Sequence, residues 1–75
     1  MIRTDKTLEI KGRLSNRAET IAKNTLASLT SGQVLTVVTT DRSAKLKLSP
    51  LCQALGCVLI GIREEGGTFY VQIQR

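Results

Sequence analysis

Hydrophobic and polar residues alternate along two short segments of the chain, and this alternation predicts strands. Residues 7–11 put Leu8 and Ile10 on one side, and residues 68–74 repeat the pattern with Phe69, Val71 and Ile73 inward. Residues 33–39 are rich in β-branched side chains and apolar on both faces, which predicts an interior strand. Residues 58–63 predict another strand, and the Glu-Glu-Gly-Gly segment at 64–67 predicts a hairpin turn to the last one.

A first helix is predicted after Gly12, beginning at Ser15 or Asn16. Asn16 and Glu19 have the spacing of a capping box, and Gly32 suits the exit from the helix. Its apolar stripe follows the three- and four-residue spacing of a helix that packs one face on a core. The stripe consists of Ala18, Ile21, Ala22, Thr25, Leu26 and Leu29.

A second, shorter helix is predicted from Ser49 as N-cap and Pro50 as first helical residue. Leu51, Cys52 and Leu55 give it a short apolar face, and Gly56 ends it. Residues 40–44 are predicted to be a polar loop.

The predicted order is β-α-β-α-β-β, in one domain covering residues 1–75 with a loose tail at residues 1–6. Right-handed crossovers place both helices on one face of the sheet, which gives a two-layer α/β sandwich with an open sheet face. Scattered apolar residues on that face would be ordinary, whereas a contiguous patch would favour a homodimer or a docking surface. The residues expected there are Val34 or Leu35, Val37 or Val38, Leu59 and Tyr70.

The charge and composition of the chain limit the kinds of partner that it is expected to bind. The net charge of +5 and the pI of about 9.8 favour anionic partners, such as nucleic acid, acidic protein surfaces or phosphate groups. Phe69 and Tyr70 are the only aromatic residues, so no stacking platform for bases is visible. The polar start and the lack of a long apolar run predict no signal peptide and no membrane span. Two cysteines and no histidine predict no metal site and a cytoplasmic protein with reduced thiols.

From residue 8 onward the chain resembles the TusA-like (SirA-like) family of small sulfur-carrier proteins. The resemblance implies a mixed four-stranded sheet with two helices on one face, and persulfide sulfur transfer between proteins without a cofactor. The family opens with Leu-Asp-x-Arg-Gly-x-x-Cys-Pro-x-Pro, followed by a helix, Pro-Gly-Glu and a strand. The matching residues are Leu8, Glu9, Lys11 and Gly12 in the opening, Lys23, Leu26, Leu29 and Gly32 behind it, Gln33-Val34-Leu35 at the strand, and later Gly56, Val58 and residues 64–67.

The chain departs from the family at its signature, since Ser15-Asn16-Arg17-Ala18 stands where the family has Cys-Pro-x-Pro. The family's cysteine at this position carries the persulfide. Serine cannot do so, and the chain has no histidine to activate a hydroxyl. Ser15 and Asn16 are therefore interpreted first as helix-capping residues. Cys52 is predicted to be a core residue, and Cys57, at the far end of the sheet, is the fallback thiol.

A basic surface is predicted at the Ser15 end of the sheet, where the helix N-terminus favours anions. The alternative is a solvated charged face, partly offset by Glu64 and Glu65 in the hairpin. The candidate binding residues are Arg13, Ser15, Asn16, Arg17, Arg42, Lys45 and Lys47.

Three functions follow from these observations. The first is a non-catalytic docking or regulatory module, a monomer or weak homodimer that binds an acidic protein partner. The second is a working sulfur carrier that uses Cys57. The third is a basic RNA-binding module, because sheets of this element order also occur in RNA-binding domains.

Overall fold

The computed structural model describes residues 4–75, and residues 1–3 of the predicted tail lie outside the described residues. The elements follow the predicted order β-α-β-α-β-β. They are β1 (Lys6–Ile10), α1 (Asn16–Ser28), β2 (Val34–Thr39), α2 (Ala44–Leu55), β3 (Val58–Glu65) and β4 (Thr68–Gln74).

The four strands form one mixed sheet in the order β1-β2-β4-β3. β1 and β2 are parallel, while β4 runs antiparallel to both β2 and β3. The β-branched segment of β2 therefore lies in the interior of the sheet, as its apolar faces predict. The parallel pair also sends the chain into α1 and into α2 from the same end of the sheet, the end where β1 and β2 finish.

Both helices pack on one face of the sheet, so the predicted two-layer sandwich is confirmed. The core lies between α1, α2 and the inward side chains of β2 and β4, with Leu26, Leu35, Leu48 and Ile73 fully buried. Burial of such side chains is the main favourable contribution to folding, at roughly 1.5–3 kcal/mol each.

The first helix begins where the sequence predicts, but fewer residues of its predicted apolar stripe are buried. Ser15 is the N-cap and its hydroxyl accepts a hydrogen bond from the N–H of Ala18, so the predicted cap role of Asn16 with Glu19 is wrong. Ala18, Ala22 and Leu26 are buried, whereas Ile21 is 45% exposed. The buried face of α1 therefore consists of Ala18, Ala22 and Leu26, and Leu29 is buried directly after the helix.

The second helix begins at Ala44, six residues before Pro50, the predicted first helical residue. Ala44 and Leu48 are buried and lie on the same face as Cys52, at four-residue spacing. Burial of this face outweighs the preference of Pro50 for a first turn, so Pro50 lies inside the helix. The predicted loop at residues 40–44 is correspondingly shorter.

Residues 4–6 are held against the sheet, so the described part of the predicted loose tail is ordered. The Thr4 and Thr36 hydroxyls are 2.8 Å apart, and the Asp5 N–H donates to the Val34 carbonyl at 2.9 Å. The Asp5 carboxylate accepts a hydrogen bond from the Val34 N–H at 2.8 Å. Lys6 already belongs to β1.

On the open sheet face the alternation of β2 settles which of the expected apolar residues lie there. Leu35 and Val37 belong to the core, so Val34 and Val38 lie on the other face. Tyr70 pairs with Val38 in the sheet register and shares that face, where the Arg63 guanidinium stacks 4.7 Å from its ring centre. Leu59 packs against the core instead, which contradicts its predicted exposure.

Pro50 provides a test of the helix bounds. Replacing Pro50 by Ala should raise the free energy of unfolding by about 2 kcal/mol, because an N–H becomes available for the Leu46 carbonyl. Urea denaturation followed by circular dichroism measures this change. The exposed Gln53→Ala in the same helix is the control and should change stability little. A loss of stability in Pro50→Ala would mean that the helix starts at Pro50 after all.

Candidate functional site

The candidate site lies on the turn between β1 and α1, which carries the predicted binding residues Arg13, Ser15 and Asn16. Gly12 has a positive φ of 81°, which turns the chain away from β1. Its carbonyl accepts a hydrogen bond of 3.0 Å from the Thr39 hydroxyl. The Leu14 side chain is 2% exposed and anchors the turn in the core.

Asp41 fastens this turn to the start of α2. Its carboxylate accepts hydrogen bonds from the Leu14 N–H at 2.8 Å and the Ser43 N–H at 2.8 Å. The Lys47 ammonium is 2.7 Å from the same carboxylate, and only 8% of the Asp41 side chain is exposed. The hydrogen bond from Lys47, followed by those from Leu14 and Ser43, holds the pKa of Asp41 well below its usual range.

Lys47 completes the connection, since its ammonium also donates to the Leu14 carbonyl at 3.1 Å. Both backbone groups of Leu14 are thereby bound by the loop and helix that follow β2. The charge of Lys47 is balanced by Asp41, so Lys47 differs from the other predicted cations of the site. Its role in binding an external anion stays a prediction.

Ser15 lies at the centre of this end, exposed at the N-terminus of α1. Its hydroxyl is 3.3 Å from the Ala18 nitrogen, which is the geometry of a cap. Ser15 and Asn16 line an open depression of about 390 Å³. Its other lining residues are Arg13, Leu14, Glu19 and Lys47.

Arg13, Arg17, Arg42 and Lys45 are exposed, and each belongs to the first turn of a helix or the loop before it. Within residues 4–75 none of these four charged groups forms an ion pair or a side-chain hydrogen bond. Of the two hairpin carboxylates expected to offset them, Glu65 is paired with Arg63 at 2.6 Å. The cationic groups at this end are therefore available to a partner.

Asp41 and Leu46 were not identified from the sequence. Asp41 lies in a short polar segment typical of a surface loop, and the only signal was its position two residues after the end of a buried strand. Leu46 is 79% exposed on the first turns of α2, and it was missed because the helix was predicted to start later.

Both cysteines lie away from this site. Cys52 is on the buried face of α2, where burial raises the pKa of its thiol to about 11. Cys57 follows the helix at the opposite end of the sheet and is 9% exposed. Residues 4–75 contain no cluster of three or more His, Cys, Asp or Glu side chains that could hold a metal ion. Within the same residues no helix is long and apolar enough to cross a membrane.

Two helices on one face of a β1-β2-β4-β3 sheet, both beginning beside an exposed turn, define a small α/β sandwich with its site at one end. The model of the family described as sulfurtransferase TusA matches residues 19–75. A relative from Neisseria meningitidis serogroup A is 38% identical over 53 residues, covering 71% of this chain and 72% of the relative. A relative from serogroup B shows the same values, and both are named "Putative sulfur carrier protein".

The chain therefore belongs to the TusA family, which confirms the resemblance found in its sequence. The family match starts at Glu19, directly after Ser15-Asn16-Arg17-Ala18. The segment that lacks the family's signature is thus also outside the matched region.

The ionisation of Asp41 makes the stability of the fold depend on pH in the acidic range. A carboxylate whose folded pKa is lowered stabilises the fold above its unfolded pKa of about 4, and this contribution is lost as the pH falls towards the folded value. The melting temperature of the wild type should therefore fall on acidification below about pH 4. Asp41→Asn should melt lower at pH 7 and depend less on pH in that range.

Calorimetric scans between neutral and acidic pH measure this difference. The exposed Glu64→Gln is the matched control and should keep the wild-type profile. Equal acid dependence in wild type and Asp41→Asn would contradict the role assigned to Asp41.

Proposed function

We propose that this chain is a sulfur-relay family protein that has lost the carrier thiol and acts as a non-catalytic docking or regulatory module in the cytoplasm. Its partner in this proposal is a protein with an acidic surface. The proposal accounts for a family fold that keeps its site end ordered while Ser15 stands at the position of the carrier cysteine.

The observation that carries the proposal is the state of Ser15. Its hydroxyl is engaged with the Ala18 N–H as a helix cap, and the sequence has no histidine that could act as its base. A serine hydroxyl near neutral pH needs a general base, most often a histidine, before it acts as a nucleophile. Persulfide chemistry also requires a sulfur atom, which this position lacks.

The surface around Ser15 supports a role in docking. Four exposed cations that have no ion-pair partner among residues 4–75 lie at the starts of the two helices, and Leu46 exposes 79% of its surface on the first turns of α2. A cationic rim around an apolar side chain is complementary to a partner with carboxylates around an apolar pocket. Arg13, Arg17, Arg42 and Lys45 form the rim in this proposal, and Ser15, Asn16 and Lys47 lie between them.

The alternative carrier, Cys57, is less well supported. It lies at the end of the sheet opposite Ser15 and is 9% exposed, so a partner docked at the cationic end would not reach it. The RNA-binding alternative lacks a stacking surface, since the Tyr70 ring already contacts the Arg63 guanidinium.

Loading with sulfur tests the loss of chemistry. After incubation with a cysteine desulfurase and cysteine, the intact mass of the wild type should show no added sulfur. Ser15→Cys should gain one sulfur atom, because the new thiol lies at a helix N-terminus that favours its thiolate. Sulfur on the wild type that disappears in Cys57→Ala would establish the alternative carrier instead.

Charge reversal tests the docking surface. Arg17 lies in the first turn of α1, where a cation opposes the helix dipole, so Arg17→Glu should slightly raise the melting temperature. The same change should weaken binding of the partner protein, measured by calorimetry after its capture from a lysate and purification.

Lys23→Glu is the matched control, since Lys23 is exposed on α1 beyond its first turn. It should leave partner binding close to the wild-type value. A lower melting temperature or unchanged binding in Arg17→Glu would show that Arg17 is structural or idle.

A further inference from the structure

The C-terminus of α2 ends in a Schellman motif that contains both cysteines of the chain. Gly56 adopts the left-handed conformation, with φ 70° and ψ 24°. The Gly56 N–H donates to the Gln53 carbonyl at 3.3 Å, and the Cys57 N–H donates to the Cys52 carbonyl at 2.8 Å. These are the two hydrogen bonds that define the motif.

A contact between the side chains of the two residues joined by the longer-range hydrogen bond frequently accompanies a Schellman motif. Here those residues are Cys52 and Cys57, and both belong to the same buried cluster. The bonds along the hydrogen-bonded path from one Cα atom to the other sum to about 7 Å. The bends of this path at the Cys52 carbonyl carbon and at the Cys57 nitrogen bring the two Cα atoms closer than that sum, inside the reach of a disulfide. Burial, and after it the charge of Cys57, raise the pKa of Cys52 to about 11.

We propose that Cys52 and Cys57 form a dithiol redox site, which low-molecular-weight disulfides such as glutathione disulfide convert to an intramolecular disulfide. The Cys57 thiolate attacks one sulfur of the small disulfide, forms a mixed disulfide and releases one small thiolate. The Cys52 thiol then loses its proton and attacks the Cys57 sulfur, which releases the second small thiolate. Two protein thiols are oxidised, one small disulfide is reduced, and the two thiol protons end on the two released thiols.

The order of attack follows from the positions of the two thiols. Cys57 lies beyond the helix end and is 9% exposed, whereas Cys52 is 3% exposed within the helix. Cys57 therefore meets the small disulfide first, and Cys52 acts as the resolving thiol. This site lies at the opposite end of the sheet from Ser15, so it is independent of the function proposed above.

The experiment equilibrates the full chain with defined ratios of reduced and oxidised glutathione, quenches with acid and alkylates the remaining thiols. Trypsin cleaves after Lys47 and Arg63, so both cysteines fall in one peptide, residues 48–63. We expect the folded wild type to yield this peptide unalkylated and lighter by two hydrogen atoms. A mixed disulfide that persists on the wild type, or thiols that stay reduced throughout the series, would overturn the proposal.

The same equilibration with denatured protein shows how much of the disulfide formation is due to the fold and how much to the short separation of the cysteines in sequence. The equilibrium constant for oxidation should be at least about tenfold larger for folded than for guanidine-denatured protein, because the motif holds the thiols together. Equal constants would overturn the proposal. Cys52→Ala should accumulate the glutathione adduct on Cys57, and a Cys52→Ala protein without any adduct would overturn the assignment of Cys57 as the attacking thiol.

Discussion

The site end of this molecule depends on one buried carboxylate. Asp41 accepts hydrogen bonds from the Leu14 N–H, the Ser43 N–H and the Lys47 ammonium, and thereby joins the turn before α1 to the start of α2. Lys47 adds a bond to the Leu14 carbonyl. A buried charge is stable only when it is paired and hydrogen-bonded, so these contacts are mutually dependent. The position of Ser15, directly after Leu14, follows from them.

This arrangement holds the turn before α1 in place without a contact from the side chain at position 15. The turn is fixed through the backbone of Leu14 and through the Gly12 carbonyl, and neither contact uses the side chain at position 15. A hydroxyl in place of a thiol at Ser15 therefore leaves the frame intact and adds a cap for α1. In the proposed function the docking surface and the carrier atom are separate features, so the loss of one does not require the loss of the other.

The strands were predictable because apolar and polar residues alternate where one face of a strand is buried. Val71 and Ile73 point inward as predicted. The start of α2 was not predictable from the sequence. Pro50 strongly favours a helix start at that position, but the burial of Ala44 and Leu48 outweighs this local preference. Ile21 fits the helical stripe by spacing, yet whether it is covered depends on the tertiary packing of α1. The hydrogen bond between Asp41 and Leu14 joins residues that are 27 positions apart, so no local sequence pattern predicts it.

The charges at the starts of the two helices are not the ones that stability alone would favour. Arg17, Arg42 and Lys45 lie in or just before the first turns of α1 and α2, where the helix dipole disfavours cations. Asp41 and Lys47 form a balanced pair beneath them, so these cations are not required to neutralise the buried carboxylate. Stability alone would favour acidic residues at these positions. Their presence agrees with the docking role proposed above, in which an anionic partner surface gains from the same helix dipoles that the cations oppose.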